Sequence, residues 1–207
     1  MTIDFIAVFI TFFAVIDPIG TVPVFIAVTE KYDLKTKRRI AFFATVVSAF
    51  VLLFFVVVGE LILKALSIPL PAFQISGGIV LFLFAMNMIF GESKPEEELK
   101  LLKTSHRETA VFPLAVPSIA SPGAMLAAVL LTENSIFSIW EQVQTALVML
   151  LVLVLACVFM LLSGFIAKLV GTSGASVISR VMGLILSSIA TANILNGISE
   201  YYKQFPL

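Results

Sequence analysis

Asp17-Pro18-Ile19-Gly20 interrupts an apolar stretch that begins at Ile3, and Ser121-Pro122-Gly123-Ala124 interrupts a second one at an offset of 104 positions. A chain that crosses hydrocarbon must close its backbone polar groups within a helix, so a break at that depth has to be buried in protein or line a cavity. Paired breaks at corresponding places in two halves of a chain point to the binding site of a carrier. Asp17 before Pro18, and Ser121 before Pro122, each read as an N-cap followed by proline at the first helical position. Each pair therefore starts a fresh half-helix inside the membrane. At 1.5 Å per residue, Asp17 lies about 20 Å from the outer end of its span and Ser121 about 16 Å from the inner end of its own.

The rest of the composition fits that reading. Of 207 residues 60% are hydrophobic and only 13% charged, whereas an ordinary soluble domain carries about a quarter charged residues. The chain reads as an all-α polytopic membrane protein. With 13 basic and 13 acidic residues the net charge is zero, so no nucleic-acid surface is implied. Cys157 is the single cysteine, which rules out an internal disulfide or a CxxC redox pair. No metal site and no cofactor are expected. The N-terminus lacks the basic region of a signal peptide, and the first apolar stretch is read as a retained span.

Six segments are long enough to cross: Ile3 to Val28, Ile40 to Leu63, Ala72 to Phe90, Ala110 to Leu131, Thr145 to Ala167 and Val181 to Ile198. Eleven of the 13 basic residues fall in the first, third and fifth loops, and the other two are Lys64 and Lys203. The positive-inside rule then puts those three loops in the cytoplasm and both termini outside. Residues 92–109, rich in Glu and Lys, read as a solvated cytoplasmic linker. They separate a first three-helix repeat (1–91) from a second (110–207).

The third and sixth spans share a ladder at an offset of 106: Gly77, Asn87 and Gly91 correspond to Gly183, Asn193 and Gly197. Each half has an odd number of spans, so the second half must lie inverted relative to the first. Two half-helix N-termini then approach near the midplane from opposite sides. Their exposed amides and partial positive charge seat a carboxylate, and Asp17 offers a fixed negative charge for an ammonium group or a proton. A site with both signs suits a zwitterion. Gly20, Gly123 and Ala124 would leave room for a small ligand. Thr21, Ser118 and Ser121 are candidate hydroxyl ligands, and Asn87 and Asn193 either complete the pocket or glue helices together. Pro18, Pro23, Pro117 and Pro122 are read as structural breaks. Glu60 and Lys64, one turn apart, read as an interfacial ion pair, His106 as a solvated loop residue, and Trp140 in an outer loop as an interface anchor. Gly77 and Gly78 permit close helix contact within or between protomers, so a homo-oligomer is compatible with the pattern.

The segment Asp17-Pro18-Ile19-Gly20-Thr21-Val22-Pro23-Val24-Phe25, together with Pro113-Leu114-Ala115-Val116-Pro117 leading into Pro122-Gly123-Ala124, resembles the MarC family of integral membrane proteins. The resemblance covers essentially all six spans. Ser121 departs from it, because the family more often has glycine before Pro-Gly. The resemblance implies kinship with SnatA-type small neutral amino acid transporters and a substrate such as glycine or alanine. The expected activity is thus a secondary carrier working by alternating access, with Asp17 as the proton-coupling group. An exporter or channel for a small anion or metabolite, and a non-transporting structural membrane protein, are the alternatives. An enzyme is not expected, since the chain has no HExxH, no CxxC and no second intramembrane aspartate.

Overall fold

The computed structural model describes residues 3–91, 110–134 and 136–204; the charged linker at 92–109, with His106, lies outside the described residues. Helices α1 (Phe5–Ile16) and α2 (Pro18–Thr29) follow each other with one residue between them. They are followed by α3 (Leu34–Ala65) and α4 (Leu70–Phe90). The second half runs α5 (Ala110–Ile119), α6 (Pro122–Leu130), α7 (Ile139–Leu161) and α8 (Ser163–Gln204). Among the described residues the chain is helical throughout. Among the described residues five helical stretches are long and apolar enough to cross a membrane, and there are six if Phe112–Ile119 and Pro122–Leu130, bent by 47° at the break, are taken as one span.

Local chemistry sets the boundaries. Asp4 accepts the Ile6 and Ala7 amides and starts α1. Asp33 accepts the Lys35 amide at the start of α3, and the Thr36 hydroxyl beside it holds its carboxyl below the usual value. Ser138 and Glu141 form a reciprocal capping box, so α7 begins at Ile139, six residues before the start expected from hydropathy. Trp140 consequently lies in the first turn of α7 rather than in a loop, exposed on the helix surface. The last helix is also longer than expected. It begins at Ser163 and turns at Gly171, whose φ of 67° and ψ of 172° suit glycine and essentially nothing else.

α5 is loosely wound. Residues before proline are driven out of the helical region, and Phe112 (φ −137°, ψ 123°) and Val116 (φ −132°, ψ 122°) are extended. The peptide bonds they share with Pro113 and Pro117 are both cis. Pro23, in contrast, breaks nothing: α2 continues past it to Thr29. It is the sixth of the twelve residues of α2, inside the helix, where its missing amide removes one ladder hydrogen bond without ending the helix.

The packing is reciprocal. α3 lies against α5 and α6, while α7 lies against α1 and α2. α4 and α8 form the most extensive pair, run antiparallel, and meet through glycines. A Cβ on Gly78 would come within 2.6 Å of Ile194 and 3.1 Å of the Ala190 carbonyl. One on Gly183 would meet Ile89 and Met88 at 3.0 Å, and one on Gly197 would meet the Pro71 carbonyl at 3.0 Å. Gly77 faces Leu126 of the same chain. The close contacts of Gly77 and Gly78 are therefore intramolecular, the use of small residues expected where lipid gives no hydrophobic drive for helix association. Phe12, Ile16, Leu52, Leu81, Leu114, Met149 and Leu186 fill the interior. Phe42, Phe50, Phe90, Leu147 and Phe165 are exposed around the outside, a surface suited to acyl chains and unsuited to water.

Gly78→Val is expected to lower stability by about 1–3 kcal/mol through overpacking at the α4–α8 contact. Gly164→Ala, with nothing within 4 Å of the added methyl, should be neutral or slightly stabilising. Thermal unfolding of the two purified variants in detergent checks the difference.

Candidate functional site

Asp17 is the turn between α1 and α2. Its backbone is left-handed (φ 50°, ψ 66°), a conformation that aspartate and asparagine adopt more readily than other side chains. In that position one residue serves two helices. Its N–H donates to the Phe13 carbonyl at 3.0 Å and closes α1. Its Oδ1 accepts the Gly20 N–H at 3.0 Å and opens α2, and its own carbonyl accepts the Thr21 amide at 3.0 Å and the Thr21 hydroxyl at 2.9 Å. Pro18 has no amide to satisfy. Cap and proline together leave the Ile19 amide as the first-turn donor they do not serve.

Ser121 does the equivalent work with an extended backbone (φ −69°, ψ 159°). Its hydroxyl accepts the Ala124 N–H at 3.1 Å and its carbonyl accepts the Met125 amide at 2.9 Å. The same hydroxyl donates to the Val15 carbonyl at 3.0 Å, 106 residues away in the last turn of α1. The two breaks are thus hydrogen-bonded to each other. A further tie comes from Ser48 of α3, which reaches the Ala115 carbonyl at 3.3 Å and steadies the irregular segment before the second break.

Asp17, Thr21, Ser118 and Ser121 are each at most 1% exposed, so the meeting point is closed to the outside in this conformation. Asp17 forms no ion pair among the described residues; its carboxylate receives the Gly20 amide on one oxygen and the Ser179 hydroxyl, at 2.7 Å, on the other. Ser179 comes from α8, 162 residues away, and carries no signature that a sequence reading could isolate.

Several expected roles shift. The space at Gly20 is not empty: a Cβ there would strike the Asp17 carboxylate and the Ser179 hydroxyl. At Gly123 the space is taken by Leu81 and Phe84 of α4, at 3.1 and 3.3 Å. Both glycines serve close packing here rather than an open chamber. Asn87 is exposed near the end of α4, its side chain folded over Gly91, and so stands outside the buried cluster. Asn193 is half-buried on α8 and makes no hydrogen bond among the described residues. Ser187 and Ser188 bond back to the Leu184 carbonyl within their own helix, as expected of such residues. Glu60 accepts the Asn134 amide at 2.6 Å, tying the loop between α6 and α7 to the end of α3.

Ser121→Ala removes a cap and leaves the Val15 carbonyl without its partner. A loss of about 1–2 kcal/mol is expected in detergent unfolding, against almost none for Ser187→Ala.

The chain is similar to known proteins over nearly its whole length. The family model for the MarC family integral membrane protein matches residues 3–202. A UPF0056 membrane protein of Methanocaldococcus jannaschii, MJ1677, is 36% identical over 94% of this chain and 95% of its own length. YvbG, a UPF0056 membrane protein of Bacillus subtilis, is 35% identical over 94% of each chain, and one from Buchnera aphidicola is 32% identical over 97% and 98%. No solved structure matches the chain. A match over nearly the full length, with two joined breaks at its centre, places the chain in the MarC family of integral membrane proteins.

Proposed function

We propose that this protein is a secondary transporter of small neutral amino acids such as glycine or alanine, coupled to protons through Asp17. The observation that carries the reading is the burial of Asp17, 1% exposed, with no cationic partner among the described residues, where two broken spans meet. A carboxylate in that position is costly and is retained where it binds or carries something. An ammonium group or a proton supplies the missing positive charge. The N-termini of α2 and α6 supply the complement, with partial positive charge and the first-turn amides of Ile19 and Gly123 for a carboxylate. Thr21, Ser118 and Ser121 are the hydroxyls buried at the same breaks.

The inverted repeat belongs to the same proposal. Three features support it: the offset of 106 shared by Gly77/Gly183 and Gly91/Gly197, the antiparallel α4–α8 contact, and the exchange in which each half's second span packs on the other half's broken span. Rocking of one half against the other would expose the breaks to each side in turn. The basic residues of the first, third and fifth loops orient the chain with its termini outside. An anion channel is the weaker account, since a fixed buried carboxylate repels its cargo. A purely structural role leaves the cost of that carboxylate uncompensated.

Asp17→Asn separates chemistry from architecture. Asparagine tolerates the left-handed turn and still accepts the Gly20 amide, so the fold should survive. In proteoliposomes the wild type is expected to accumulate labelled glycine under an inward proton gradient. The variant is expected to lose at least about tenfold of that uptake, since the group that changes charge is gone. Equal uptake by both proteins, or no flux of any zwitterion by the wild type, would remove the reading.

A further inference from the structure

The Asp17 carboxylate divides its two oxygens between two kinds of partner. Oδ1 is bonded to the Gly20 amide of its own half-helix and travels with it. Oδ2 is bonded to Ser179 of α8 at 2.7 Å, a contact that relative motion of the two elements must break. A methyl group at Gly20 would collide with both Asp17 and Ser179, so the three groups are in tight contact. Ser179 fills one acceptor direction of Oδ2, on a residue only 1% exposed.

The base of α8 holds a second, independent feature. Gly171 sits at φ 67° and ψ 172°, while a Cβ there would find nothing within 4 Å. Packing therefore leaves space for a side chain at that point, and the conformation alone demands glycine. It lies eight residues before Ser179, about 12 Å along the helix. Backbone pivots of this kind absorb the φ/ψ change when a packed element swings.

We propose that Ser179 is a latch: its hydroxyl holds the Asp17 oxygen that a ligand's ammonium group takes, and its displacement frees the last span to pivot at Gly171. The identity of the displacing group rests on the transport reading above; the latch itself does not. Ser179 acts through Asp17 and is a positioning residue, converting occupancy of the acid into movement of a helix.

Ala175 provides the readout. It is 4% exposed and one turn before Ser179 on the same face of α8. In a Cys157→Ala background carrying Ala175→Cys, maleimide labelling reports how often that face opens. Adding Ser179→Ala is expected to raise the labelling rate on the order of fivefold, the effect of removing one net hydrogen bond from a local opening equilibrium. Ser179→Thr keeps the hydroxyl and is expected to restore slow labelling, which a simple packing defect would not do. Glycine is expected to accelerate labelling when the latch is intact and to add nothing once it is removed. Unchanged labelling in Ser179→Ala, or labelling in Ser179→Thr as fast as in Ser179→Ala, overturns the latch. If Ser179→Ala opens the face while no zwitterion affects the intact protein, the latch stands and the amino acid reading falls.

Discussion

An amide or carbonyl inside hydrocarbon has no water to bond, and every feature of this chain's centre answers that constraint. Breaking a span exposes up to four donors at one cut end and four acceptors at the other. At the first break a single left-handed aspartate closes α1 through its amide and opens α2 through its carboxylate. At the second, Ser121 caps α6 and sends its proton to the Val15 carbonyl of the first. The second break thereby satisfies a carbonyl that the first exposes. Ser48 contributes a third tie, from α3 to the extended segment around Pro117. Without the second break the Val15 carbonyl would lose its Ser121 partner.

The polar cluster that results is held by an apolar shell and by close helix contact. α4 and α8 approach through Gly78, Gly183 and Gly197, with neighbouring side chains and carbonyls near 3 Å from where a Cβ would be. That approach sets α8 against the first break and so brings Ser179 to Asp17. The N-termini of α2 and α6 favour a negative charge at this point, while burial and the C-terminal end of α1, which closes on the same residue, oppose it. With no cation beside Asp17 among the described residues, the balance is left to whatever occupies the site.

Much of this was legible in the sequence. Asp-Pro and Ser-Pro inside apolar runs announced both caps, because the cap residue and the proline at the next position each have a local physical reason to be there. The family resemblance rested on the same residues. Span number followed from length and hydropathy, with boundaries displaced where a capping box or a glycine turn took over, as at Ser138 and Gly171. What stayed hidden depended on distant packing. Ser179 is an ordinary serine in an apolar helix until the fold sets it against a residue 162 positions earlier. Gly20 and Gly123 looked like open space, but sequence does not say which neighbour fills it. Asn87 matched Asn193 in the repeat, yet helix rotation leaves one exposed and the other half-buried. Pro23 looked like a break, yet α2 continues through it to Thr29.

The central claim is that the joined breaks form a site whose occupant is held by Asp17. A ligand that binds only the folded state raises its apparent stability, by about 2.7 kcal/mol at a hundred times its dissociation constant. Thermal unfolding of the purified wild type and of Asp17→Asn, with and without saturating glycine, measures this directly. The account predicts a glycine-dependent rise in Tm for the wild type and none for the variant; an equal rise in both would place the ligand elsewhere and contradict it.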